Sequence, residues 1–215
     1  LPAQADDLQK PSPYTSTQEI LMNTKRTFLK AAGGLALLPS LSFAGTAKPT
    51  SGPGAGYFQN AILQTHEGKK VRFYDDLLKE KFVVINMMYA SCTGICPANT
   101  ANMKAVQEAL GDRVGKDIFM YSLSLRPEFD TPQVLNDYVR KFDIKPGWTF
   151  LTGQRADMEV IRRKLGFYDS DPVLDADISQ HTGMIRIGKV AAERWCMVPA
   201  MSSTRQIVST ILGAA

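Results

Sequence analysis

The chain has 215 residues, 44% hydrophobic and 21% charged, enough for one well-filled domain with length left over for a leader or tail. Its formal charge of +4 is mild, and the basic residues are scattered rather than gathered into an arginine-rich stripe with interleaved aromatics, which argues against nucleic-acid binding. Three cysteines are too few for a disulfide scaffold, and an odd count leaves at least one unpaired or otherwise employed.

Residues 1–21 are polar, proline-bearing and without period, and they read as an upstream extension or a remnant ahead of Met22. From Met22 a short basic stretch (Lys25, Arg26, Lys30) precedes an apolar run, Ala31 to Phe43, that ends in the small residues of Ser42-Phe43-Ala44. These are the parts of an export signal over 22–44, similar to a twin-arginine leader with lysine in the first place. If retained, the segment serves as a membrane tether, although its run is short and broken for a span. Residues 45–56, rich in Gly, Pro, Ser and Thr, form a flexible linker, and the folded domain is expected over 57–215. Export places the domain in the periplasm or on the outer face of the inner membrane, where exposed thiols can form a disulfide bond.

Within the domain, Ala61–Thr65 and Lys70–Phe73 flank a turn at Gly68 and predict a hairpin, after which Asp75 caps a short helix to Lys79. Phe82–Tyr89 is a nearly continuous apolar run, as in a strand covered on both faces. Cys92 and Cys96 follow at once, and Pro97 marks the start of a helix to Leu110 with Met103, Val106 and Leu110 inward and Gly111 as its stop. Ile118–Leu125 is the next strand. Thr131-Pro132 opens a helix with Val134, Leu135, Tyr138, Val139 and Phe142 as its buried face. Trp148–Leu151 predicts a strand and Met158–Leu165 a helix, whereas 166–179, with Asp169, Asp171, Asp175 and Asp177, reads as a surface loop. Gly183–Ile187 and Arg194–Val198 form a closing hairpin turning at Gly188-Lys189, and Ser202 or Ser203 caps a last helix to Leu212. Strands alternating with helices, then a hairpin and a helix, predict an α/β domain of three layers.

Two thiols spaced i and i+4, running from a loop into a helix N-terminus, can converge on one soft ion or oxidise to each other, and the helix-end amides favour the thiolate. An exported copper site needs a third donor, and with only His66 and His181 in the chain the candidate is His181, between the aspartate-rich segment and the closing hairpin. A lone histidine there is equally a surface hydrogen-bonding residue. Cys196 reads as a small core hydrophobe, or more sharply as an extra thiol near the site.

Cys92-Thr-Gly-Ile-Cys96-Pro97, Ser124 to Pro132 (SLRPEFDTP) and Gly147 to Gly153 occur in the order of a CxxxCP motif, an SVDPERDTP segment and a following strand. In this the chain, from about Tyr57 to Leu212, resembles the SCO/SenC family. The resemblance implies a thioredoxin-like fold with a central mixed sheet. It also implies one copper held by Cys92, Cys96 and His181, and its delivery, or that of reducing equivalents, to a cuproenzyme such as cytochrome c oxidase through its subunit II. The sequence departs from the family at Thr93-Gly94-Ile95, where an aspartate is common, and at Leu125, in place of the early aspartate of the second segment. Two further accounts stand beside copper handling: a thiol–disulfide oxidoreductase using Cys92 and Cys96, and a structural subunit of an exported complex.

Overall fold

A computed structural model describes residues 51–179 and 183–215; the leader, the first half of the linker and His181 lie outside the described residues. No helix among the described residues is long and apolar enough to cross a membrane. The organising element is β3 (Phe82–Met88), whose seven residues are all buried. Alternate side chains leave a strand on opposite faces. Phe82, Val84 and Met88 therefore enter one apolar layer and Val83, Ile85 and Met87 the other.

On either side of β3 the chain builds a mixed sheet of seven strands in the order β2-β1-β5-β4-β3-β6-β7. Here β1 is Ile62–Thr65, β2 Lys70–Arg72, β4 Ile118–Ser124, β5 Trp148–Gly153, β6 Met184–Lys189 and β7 Arg194–Pro199. The β3–β4 and β4–β5 pairs are parallel and the other four antiparallel. Helices α1 (Ile95–Leu110), α2 (Pro132–Lys141) and α5 (Thr204–Ala214) contribute Met103, Val106, Leu135, Tyr138, Ile207 and Ile211 to one layer. The other is filled by α3 (Arg155–Lys164) through Met158 and Ile161, and by the turn Phe73–Leu78. The result is the three-layer thioredoxin-like arrangement expected. A buried polar chain crosses it: the Trp148 indole donates to Ser122 Oγ (2.9 Å), and Ser122 donates to Asn86 Oδ1 (2.7 Å), linking β5, β4 and β3.

Local signals hold where the partner is near in sequence. Thr131 Oγ1 accepts from the Val134 amide (3.3 Å) and Ser203 Oγ from that of Gln206 (3.2 Å), and Gly68 turns the first hairpin at φ 82°. Five expectations change. The linker's last residues pack on the domain, since the Tyr74 hydroxyl donates to the Pro53 carbonyl (2.9 Å); Gly and Pro serve tight turns as well as flexible chain. Phe73–Leu78 is a π-helical turn, and Asp75 lies within it, bound to Asn60 (2.7 Å) and Arg72 (3.0 Å), instead of capping it. Val134 is exposed, because the buried stripe of α2 runs through Leu135 and Tyr138 and leaves it at the edge. The segment 166–179 contains a short helix, α4 (Pro172–Ala176), capped by the Asp171 carboxylate on the Val173 amide (2.8 Å).

The closing hairpin turns at Val190–Ala192 and Glu193, whereas Gly188 and Lys189 remain in β6, opposite Trp195 and Arg194. Glycine marks a close approach here instead of a turn. A Cβ at 188 would stand 2.2 Å from the Arg194 carbonyl oxygen and 2.7 Å from the Trp195 ring. Backbone cannot give way as a flexible side chain does. G188A is therefore expected to lower the unfolding free energy by about 1–3 kcal/mol, the usual cost of overpacking, read from urea midpoints with an unchanged slope.

Candidate metal centre

Strand β3 ends at Met88, and the next eight residues build the site. The Cys92 amide donates to the Tyr89 carbonyl (3.2 Å), closing a turn that holds the first thiol at the carboxyl edge of the sheet. Gly94 then caps α1, which begins at Ile95, two residues earlier than Pro97 suggested. Pro97 still falls among the first amides that need no helical partner. The shift places Cys96 in the first turn, 1% exposed, with Cys92 at 8%. A Cβ at Gly94 would lie 4.0 Å from Cys92 Sγ, an ordinary contact distance, which puts the cap residue beside the first sulfur.

The two thiols meet. Burial works against a charged Cys92, but the Cys96 and Gly94 amides, the Cys96 thiol and the Tyr89 hydroxyl outweigh it and hold Cys92 below the ordinary cysteine value. The same contact with Cys92, with burial and the charges of both sulfurs behind it, pushes the Tyr89 hydroxyl up to about 12. Convergent soft donors at a helix N-terminus fit a soft monovalent metal such as Cu(I) and equally fit disulfide formation. Among the described residues no third His, Cys, Asp or Glu joins them. The segment that precedes His181 is described to Ser179, and its root is tied down where Arg162 Nη1 donates to Asp175 Oδ1 (2.8 Å) and to the Phe167 carbonyl (2.6 Å).

The other candidates are placed elsewhere. His66 Nδ1 accepts from the Phe150 amide (3.2 Å) and its ring packs edge-on against Phe150, so this imidazole is used in joining β1 to β5. Cys196 lies opposite Ile187, which lies opposite Val84. Four residues along β3 and two strands across put it on the order of 15 Å from Met88, and it is a half-buried packing residue instead of a third thiol at the site.

Three contributors were not visible as such in the sequence. Tyr89, the last residue of the apolar run, opens the turn to Cys92 through its carbonyl, and its hydroxyl is one of the groups that hold that thiol below its ordinary value. Arg126 stacks between Tyr89 (6.0 Å to the ring centroid) and Phe129 (4.3 Å). Matched position by position against SVDPERDTP, Arg126 and not Leu125 stands at the early aspartate, and Phe129 at the arginine, so a cation–π contact occupies the place of two opposite charges. Asp130, 1% exposed, accepts from the Ala90 amide (3.1 Å) and the Ser124 hydroxyl (2.6 Å), pinning the start of the cysteine loop to the end of β4. The acidic residue of the D-T-P run was the available signal; its partner Ala90 lies 40 positions away.

With the geometry in place, similarity to known proteins can be stated. The SCO1/SenC family model matches residues 58–213. The chain belongs to this family. Protein sco1 of Schizosaccharomyces pombe is 29% identical over 110 residues, 51% of this chain and 40% of the relative. The SCO2-like protein of Rickettsia felis is 31% identical over 120 residues, 53% of this chain and 57% of the relative. The matches thus span about half of these relatives' own length. Among solved structures, yeast Sco1 with copper bound aligns with a TM-score of 0.55 at 18% identity, over 78% of this chain and 93% of that one. Bradyrhizobium japonicum ScoI with copper bound gives 0.55 at 22% identity, over 72% and 97%. At these identities the structures establish a shared fold.

Burial raises the Asp130 carboxyl above its usual range, partly offset by the Ser124 and Ala90 bonds. A carboxyl raised by folding binds its proton more tightly in the folded state, so its contribution declines as pH climbs from the ordinary aspartate range through the raised value. Asparagine at 130 is free of that penalty. The stability of D130N relative to wild type is therefore expected to improve between pH 4 and pH 7, measured as the difference in urea midpoints; an unchanged or falling difference contradicts it.

Proposed function

We propose that this SCO1/SenC protein binds one copper ion through Cys92 and Cys96, with His181 as third ligand, and passes it to a cuproenzyme. Cytochrome c oxidase, through its subunit II, is the proposed recipient. The observation that carries this is the meeting of two thiols, one of them held below its ordinary value, at the carboxyl edge of β3, on a fold shared with copper-bound ScoI and Sco1 structures. Copper is the cargo here. The chain's own task is to present soft donors at the carboxyl edge of β3, one of them held below its ordinary value so that it is charged enough to take the ion. Residues 22–44 are proposed to export the domain to the periplasm or to tether it at the outer face of the inner membrane.

A second account, thiol–disulfide exchange, is favoured by one observation: the donors converge on Cys92 while Cys96 is almost wholly buried, which suits an attacking and a resolving thiol. A solved structure of similar fold, BsSco, is itself described as containing a disulfide switch.

The two accounts separate in an anaerobic Cu(I) titration against a chromophoric chelator. Wild type is expected to take up one copper per chain, and C92S or C96S to lose stoichiometric binding. H181A should keep the stoichiometry but bind at least about tenfold more weakly, roughly 1.4 kcal/mol. Unchanged affinity in H181A would remove that residue from the ligand set. Absence of copper uptake by wild type, together with turnover of a disulfide substrate, would replace the copper account by the exchange account.

A further inference from the structure

Away from the thiols, we propose that Arg186 and Lys164 form a binding site for a phosphate-type oxyanion, beside the carboxyl end of α3 on the other face of the sheet. Copper plays no part in it, and the site stands whether or not the thiols take the metal.

Arg186 lies in β6 opposite Ile85 of β3 and Met197 of β7. Both belong to the layer that α3 fills, so the Arg186 side chain leaves the sheet on the face away from Cys92 and Cys96. Its Nε is withdrawn from solvent and meets no hydrogen-bond acceptor, and among the described residues no carboxylate pairs with the guanidinium. The Trp195 ring, with its centroid 5.3 Å away, is its platform. An aromatic face favours a cation but does not replace the oxygens that a guanidinium fork holds. Burial pushes the guanidinium below its ordinary value, as expected for a cation drawn from water without a counter-ion.

The acceptors closest at hand are already engaged. A Cβ at Gly166 would stand 3.6 Å from Arg186 Nη1, which puts the guanidinium against the loop that ends α3. Helix-end carbonyls attract cations. Here, however, the Phe167 amide donates to the Arg162 carbonyl (3.0 Å), the Gly166 amide to that of Arg163 (3.0 Å) and the Tyr57 hydroxyl to that of Lys164 (3.0 Å). The carboxylates near this helix end are taken as well, since Arg162 and Arg163 share Glu159 and Asp175. Lys164, last in the same basic turn, forms no ion pair among the described residues, and its Nζ lies 4.3 Å from the Tyr57 ring centroid. Two cations with no carboxylate between them call for a multiply charged anion, and the flat guanidinium fork matches two oxygens of a phosphate. Both residues are half-buried, so an anion can reach them from solvent.

The test titrates the full chain calorimetrically with inorganic phosphate at fixed pH, against sodium chloride of matched ionic strength. Wild type is expected to bind one phosphate per chain, and R186Q to bind it at least about tenfold more weakly. R186K, which keeps the charge and loses the fork, and K164Q should each weaken binding by a smaller factor, about threefold. R140Q is the control for loss of any surface cation: Arg140 lies on α2, in the other layer, and its variant should stay within about twofold of wild type. No saturable heat in wild type overturns the proposal, as does R186Q within about twofold of wild type, or R140Q weakened as much as R186Q. Should R186Q fail to fold by circular dichroism, R186K and K164Q decide: weaker binding in both supports the site, and wild-type binding in either overturns it. Vesicles then identify the source of the phosphate. Retention of wild type over R186Q on phosphatidylglycerol relative to phosphatidylcholine assigns it to a lipid headgroup, and equal retention to a soluble ion; either supports the site once the titration holds.

Discussion

Burial of β3 on both faces is the constraint from which the rest of this structure follows. A strand with seven withdrawn side chains must have helices above and below it and strands on both edges. The parallel neighbour β4 and the antiparallel neighbour β6 supply the edges, α1 and α5 one cover, and α3 with the π-helical turn the other. So enclosed, β3 releases its chain at a single rigid point. The thiols begin four residues beyond it, which gives a short loop the positional definition of the core.

The site then uses its neighbours for three separate tasks. Helix α1 presents amides to Cys92, Asp130 holds the Ala90 amide and the β4 end together, and the Phe129–Arg126–Tyr89 stack stands over the loop from the side. Each acts on the sulfur chemistry through geometry rather than through a large charge. The carboxylate among them is so buried that its proton is held more tightly than usual, and the guanidinium engages aromatic faces.

Much of this fold is written in local patterns. The apolar run before the cysteines, the Thr131-Pro132 helix start and the alternation of strand and helix all depend on residues a few positions apart, and these are what a chain discloses when read alone. What stays hidden depends on partners brought close only by folding. Gly188 looks like a turn residue until Trp195 is laid across it. Tyr89 looks like the end of a strand, and Asp130 resembles any acid ahead of a helix, until their partners at Cys92 and Ala90 are in place. The two thiols were legible because spacing alone puts them together. His181 carried a weaker signal, one of two histidines set between the aspartate-rich segment and the closing hairpin, and the family pattern added to it.

One consequence of the strand order concerns the growing or emerging chain. The most apolar strand gains its second edge partner only from Met184–Lys189, about a hundred residues after it is made, and that partner is itself backed by β7. Until those residues arrive, Phe82–Met88 presents a bare row of peptide groups flanked by methionine, valine and isoleucine, a template for pairing with another chain. The hairpin at the carboxyl end thus acts as the seal of the domain. A chain cut before Met184 would leave that edge of β3 without its partner, although the thiols and their loop would still be present in the sequence.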